Sequence, residues 1–236
     1  MTGSLGHLVA ALALFVGGHF ALSSHPLRTR LIAALGERGF QGFYSVVAAL
    51  GLAWTIWAYI ESPYIELWVA PTAVKHLTLS VMIVVSVMVI ASFSPQNPAI
   101  AGKPTPDLAQ GPVGIFRITR HPFNWGTALW AFTHLAANGD AASVTLFGAM
   151  AVLALAGSAH IDSRKRRQLG AGWDTYARRT SHIPFAAALQ GRTRIVWSEI
   201  GWRPVILGLC LYIVLLILHE PVIGIAPMSL VSGVFG

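Results

Sequence analysis

The chain has 236 residues, of which 55% are hydrophobic and only 11% charged. A soluble domain carries about 25% charged residues, so this composition excludes an ordinary water-soluble globule and makes a lipid bilayer the expected solvent. The formal net charge of +7 comes from basic residues set between apolar runs, which favours anionic lipid headgroups over nucleic acid as the partner.

A helix that crosses a bilayer needs about 17–25 mostly apolar residues. In chain order such runs fall at 5–24, 40–60, 72–93, 122–138, 142–161 and 203–223. The sequence therefore predicts an all-α, polytopic membrane helical bundle with about six spans, forming one integral membrane domain over 1–236. The first run has no Lys or Arg before Arg28. It thus lacks the basic leading region of a signal peptide and reads as a retained helix.

Residues 94–116 hold Pro95, Pro98, Pro104, Pro106 and Pro112, which predicts an irregular loop. The fourth and fifth runs are separated only by Asn138-Gly139-Asp140, the signature of a tight helical hairpin. The 162–202 stretch opens Asp-Ser-Arg-Lys-Arg-Arg and continues through Trp173 and Tyr176. Beside a membrane, such a mixture is expected to lie along an anionic leaflet. After Glu220-Pro221 the chain is apolar, with Gly and Pro and no helical signal.

Most of the sixteen Lys and Arg fall in three of the intervening loops. Arg28, Arg30 and Arg38 lie in the first, Lys103, Arg117 and Arg120 in the second, and Arg164 to Arg203 in the third; Lys75 is on the other side. The positive-inside rule then places these loops in the cytoplasm and both termini on the periplasmic side of a bacterial inner membrane. The opposite face carries Glu61, Glu66, Asp140 and Glu220, with Trp54, Trp57, Tyr59, Tyr64 and Trp68 as an interfacial belt.

One cysteine, Cys210, supports neither a disulfide framework nor a Cys-based metal site. Glycine-rich nucleotide loops, HExxH and GxSxG are missing from the sequence. What stands out is nine histidines in a chain this poor in charge. His7, His19, His76 and His134 fall in or at the ends of spans, and His160 closes the fifth. An imidazole in lipid must face the bundle interior and find a partner, which makes such residues functional candidates. Neutral imidazole is a common metal and haem ligand. For any one of these histidines the simpler reading is a bond to a backbone carbonyl. Depth along the spans pairs His76 with His134, and His19 with His121. Arg117, Arg120 and His121 stand just before Pro122, which suits the first turn of a helix. They either bind an anionic headgroup or cofactor phosphate, as the forked donors of Arg allow, or mark the membrane boundary.

Taken together, several short motifs carry a resemblance. Arg117-Ile-Thr-Arg-His-Pro122, Trp130 followed by His134, the Asn-Gly-Asp hairpin and Thr180-Ser-His-Ile-Pro-Phe185 resemble the NnrU family. So do Gly18-His19-Phe20, Gly36-Glu37-Arg38, Lys75-His76-Leu77 and His219-Glu220-Pro221. That resemblance covers nearly the whole chain. It implies a bacterial integral membrane protein associated with denitrification and nitric oxide reduction. The pattern is also similar to plant 15-cis-ζ-carotene isomerases, membrane haem b enzymes with histidine ligands at positions matching His19 and His134. From this the resemblance implies haem b between helices, with His76 as substitute for His19, and isomerisation of an apolar polyene as the activity. The cysteine that those enzymes place three residues before the second ligand is Ala131 here, so ligand exchange of that kind is not expected. Arg-His-Pro also resembles membrane methyltransferases of the isoprenylcysteine carboxyl type. They would use Arg117, Arg120 and His121 for S-adenosylmethionine, but their acidic pair is missing here. A third alternative is a non-catalytic accessory role in nitric oxide reduction.

Overall fold

A computed structural model describes residues 3–100 and 105–227. They form an all-α bundle in which five helices are long and apolar enough to cross a membrane. These are α1 (Leu5–Ser23), α2 (His25–Ile60), α3 (Thr72–Ser92), α5 (Ala141–Leu169) and α8 (Trp202–Ile223). Between α3 and α5 in the chain lies α4 (Pro122–Asn138), whose 17 residues extend about 25 Å at 1.5 Å per residue, short of the roughly 30 Å hydrocarbon core. Two shorter helices, α6 (Ala171–Arg179) and α7 (Ala186–Leu189), follow α5.

The long helices pack in a row. The α4 helix sits between α3 and α5, α8 lies on the far side of α3, and α1 packs on α5 and carries α2. Apolar side chains cover the outside, with Leu50, Val69 and Ile217 each at least two-thirds exposed. In water that surface would drive aggregation; in hydrocarbon it is solvated. The outermost helix, α8, buries Gly208 alone. A Cβ there would stand 2.7 Å from Val87 Cα, so the small residue is what lets α8 and α3 approach.

Several boundaries differ from the sequence reading for local reasons. The α2 helix begins at His25, with Pro26 in its first turn, and bends at Gly36, whose φ of 71° and ψ of 166° are not helical. The apolar pattern begins only after that bend, which is why the span reads as 40–60. The α5 helix runs eight residues past the predicted end at 161, to Leu169, because helical geometry continues where hydropathy stops. The α8 helix accommodates Pro221 and ends at Gly224 in the left-handed region; residues 228–236 of the predicted tail lie outside the described ones. The described parts of the loop, 94–100 and 105–116, are irregular as expected, with short 3₁₀ turns at Leu108–Gln110 and Gly114–Arg117, and Lys103 and Pro104 lie outside the described residues.

The Asn-Gly-Asp hairpin forms as predicted. Gly139 closes α4 with φ 73°, and the Asp140 side chain accepts from Ser143 N to cap α5. The segment after α2 folds over this turn. Leu67 N and Trp68 N donate to Gly139 O, and Ala141 N donates to Ile65 O. A Cβ on Gly139 would lie 2.0 Å from Trp68 O. Glycine is required here by both backbone angle and space.

Candidate functional site

Two regions gather the candidate residues. The first is a polar latch at the arginine-rich end of the bundle, where two motifs far apart in sequence fold against each other. Arg120 N donates to Ser181 O and Phe185 N to Ile118 O. Thr119 Oγ1 donates to His182 O at 2.7 Å, Thr180 Oγ1 to Phe116 O at 2.7 Å, and Trp125 Nε1 to His182 O at 2.7 Å. The peptide groups of one motif thus satisfy those of the other, which holds the irregular backbone around 116–121 and 180–185 in place. Trp173 and Tyr176 of α6 are buried here.

Both predicted arginines are engaged in this latch. Arg120 Nε is 2.9 Å from each oxygen of Asp162, and its Nη2 also donates to that carboxylate. His121, whose side chain is 1% exposed, donates from Nε2 to Asp162 Oδ1 at 2.8 Å. Arg117 forms a fork with Glu199, Nε to Oε2 at 2.6 Å and Nη2 to Oε1 at 2.9 Å. Gly114 N adds a third bond to the same carboxylate at 2.9 Å. The Arg117 guanidinium and then the Gly114 N–H hold Glu199 below the usual carboxylate range. Burial, followed by the charges of His121 and Arg120, lowers His182, and burial raises Tyr176. Neither guanidinium therefore offers an unused fork to a headgroup or a cofactor phosphate. The sequence reading did not assign Asp162 or Glu199 as partners of these arginines. With nine acids in the chain against sixteen bases, each acid near a basic run was a candidate counter-ion, and that was the available signal.

The second region is a cavity of about 860 Å³ between α1, α2, α4 and α5. Its inner walls are Phe15, Phe20, Phe40, Tyr44, Met150 and Leu153, with Asn124 and Thr127 from α4. At its arginine-rich end stand Arg28, Glu37, Arg164 and Lys165. Two histidines line it, His19 and His160. His19 Nδ1 donates to Phe15 O at 2.7 Å. A carbonyl can only accept, so this bond fixes the proton on Nδ1 and leaves the Nε2 lone pair available. His160 is oriented the other way, with Nε2 donating to Ser23 O at 2.9 Å.

The remaining predicted histidines lie elsewhere. His76 is exposed on α3. His134 donates from Nδ1 to Trp130 O at 2.9 Å and packs on Trp130 and Phe147, with ring centroids 5.5 and 5.2 Å away. It has the same local bond as His19 at a different height. The contact with Phe147 sets the level of His134 along α5. The bond from His160 to Ser23 puts His19, four residues earlier in the parallel α1, near residue 156. At 1.5 Å per residue that separation is about 13 Å. Two nitrogens across one metal, each bonded at about 2 Å, stand about 4 Å apart. On that estimate His19 and His134 stand at different levels, whereas the bond from Thr78 Oγ1 to Thr133 O at 3.2 Å puts His76 and His134 at similar levels on neighbouring helices, with no hydrogen bond or ring contact between them among the described residues. No group of three or more His, Cys, Asp or Glu suited to a metal ion occurs among the described residues.

Fold and cavity together define a polytopic α-helical membrane protein with two histidines in the wall of a cavity between its helices. The NnrU protein family model matches residues 7–227. The chain belongs to the NnrU family. It is similar to two plant proteins named 15-cis-zeta-carotene isomerase, chloroplastic. With that of Zea mays it is 31% identical over 96 residues, 41% of this chain and 26% of the relative. With that of Arabidopsis thaliana it is 26% identical over 163 residues, 67% of this chain and 44% of the relative. The chain spans less than half the length of these curated relatives. No solved structure matches it.

Proposed function

We propose that this protein is a haem b-binding membrane protein of the ζ-carotene isomerase kind, acting on an apolar polyene held beside the haem. His19 is the iron ligand in this reading. The observation that carries it is the Nε2 lone pair of His19, fixed by the bond from Nδ1 to Phe15 O, on the wall of a large and mostly apolar chamber. A backbone carbonyl on the far nitrogen is the usual way a ligating imidazole is oriented and made more basic. Similarity to two ζ-carotene isomerases supports the same reading.

Bound there, haem would supply an iron that lowers the rotation barrier of a conjugated double bond. The chain's own residues would do the rest. Phe15 O orients His19, and Phe20 and Phe40 present apolar surface to a polyene. Chambers of about 300–1,000 Å³ with mostly apolar walls and few polar groups are typical of small-molecule sites. The arginine-rich end would face the cytoplasm of a bacterial inner membrane, following the positive-inside rule, with the ends of α1 and α8 distant from it on the periplasmic side.

The test is conversion of a defined cis-carotene by the purified protein, scored with the visible spectrum of the same sample. Turnover that disappears in His19→Ala is the expected result. Haem without turnover of any cis-polyene would leave the accessory role in nitric oxide reduction as the better reading. A haem band lost in His134→Ala as readily as in His19→Ala would restore the ligand pair that the resemblance implies.

A further inference from the structure

The cavity's charge is unbalanced. Three cations, Arg28, Arg164 and Lys165, line its arginine-rich end against one carboxylate, Glu37. Glu37 is already taken, since Arg28 Nη2 lies 2.7 Å from its Oε1. The side chains of Arg164 and Lys165 have no hydrogen bond and no ion pair among the described residues. Basic residues at a membrane boundary ordinarily extend into the headgroup water. Lys165 is 8% exposed as a whole, its stem packed in the bundle while its ammonium keeps a little accessible surface. Arg164 shares the field of Glu37 with Arg28, and Lys165 has no acid of its own, so three cations against one carboxylate leave a net positive rim on an apolar chamber, which an anion would complete.

We propose that the chamber takes an amphiphile with a phosphate or carboxylate at one end. Its anionic end sits between Arg164 and Lys165, and its apolar chain lies among Phe15, Phe20 and Leu153. The amphiphile rests on the same chamber as the proposed function and narrows its ligand class. A plain hydrocarbon satisfies the inner walls and leaves the rim unmet. Haem, which carries two carboxylates, meets both. So does a long-chain phosphate or fatty acid. The arginines of the latch cannot play this part, because Asp162 and Glu199 hold them.

The test measures binding of three probes to the full-length protein in neutral detergent by native mass spectrometry. Dodecyl phosphate should bind one to one, with dodecanol and inorganic phosphate each weaker by about tenfold or more, as expected for losing a charge-assisted contact or the apolar chain. Arg164→Gln with Lys165→Gln should reduce dodecyl phosphate binding by about tenfold, with each single change available should the pair fail to fold. Equal binding of dodecanol and dodecyl phosphate overturns the proposal, as does unchanged binding in the variants. Equal binding of inorganic phosphate makes the rim a simple phosphate site and overturns the amphiphile.

The visible spectrum of the same samples separates this inference from the haem reading. A colourless protein that selects dodecyl phosphate keeps the amphiphile and loses the haem. In a protein already filled with haem, the rim variants should lower haem retention. Retention at the wild-type level overturns the amphiphile and keeps the haem.

Discussion

The latch and the cavity both draw on basic residues at the same end of the bundle, yet they use them in opposite ways. In the latch each cation meets an acid of the chain: Arg120 and His121 meet Asp162, and Arg117 meets Glu199. In the cavity the one carboxylate, Glu37, is bonded to Arg28, so Arg164 and Lys165 form no ion pair among the described residues. They lie within three residues of Asp162 on α5, so composition does not separate the two sets. What separates them is which acid each side chain reaches once the helices pack. Paired arginines here are a fastening, and unpaired cations beside a chamber mark a place for a ligand. The difference also explains why the Arg-His-Pro motif makes a poor case for an anion site by itself.

The comparison is broken most severely by removing the latch's central acid. Asp162→Asn leaves Arg120 without its counter-charge in a site where both side chains are about one-eighth exposed. Loss of one partner of a buried pair costs about 3–5 kcal/mol, and a large drop in the thermal midpoint in detergent is the expected reading. Next comes Gly139→Ala at the opposite end. A non-glycine residue in that left-handed conformation costs about 1–3 kcal/mol, and the clash with Trp68 O adds to it. Accelerated proteolysis between α4 and α5 would report the loosened hairpin.

Glu199→Gln should cost about 1 kcal/mol, since the pair is partly exposed to solvent. Its pH dependence is specific. Arg117 depresses the Glu199 carboxyl in the folded protein. The stabilisation is therefore fully present above the unfolded carboxyl value of about 4.3 and is lost as pH falls through the lower folded value. An acid-unfolding curve of the variant should lack that increment. The smallest effect sharpens the contrast. Arg164→Gln and Lys165→Gln break no internal ion pair and remove a poorly solvated charge, so each should leave the thermal midpoint of the unliganded protein unchanged or raise it slightly, and neither should lower it.

Much of the fold could be read from the chain, because span length and turn chemistry are local. Pro122 starts α4, Asn138-Gly139-Asp140 makes the hairpin, and apolar runs give the long helices. The parts that could not be read depend on residues distant in sequence. Bending at Gly36 hides the first eleven residues of α2 from a hydropathy reading, and the arginine run after Ile161 hides the end of α5. The latch was legible as two motifs but not as one structure, since nothing in either says that Thr119 reaches His182. The cavity is less legible still. His19 could be singled out as an imidazole in an apolar span, whereas its relation to Arg164 and Lys165 exists only after four helices assemble.

Most directly, the central claim is tested by the visible absorption spectrum of the detergent-purified protein, oxidised and then dithionite-reduced, after expression with haem supplied. The expected result is a Soret band with reduced α and β bands in the wild type, lost in His19→Ala while the helical circular dichroism is kept. A folded wild-type protein without a Soret band, or a band unchanged in His19→Ala, would contradict it.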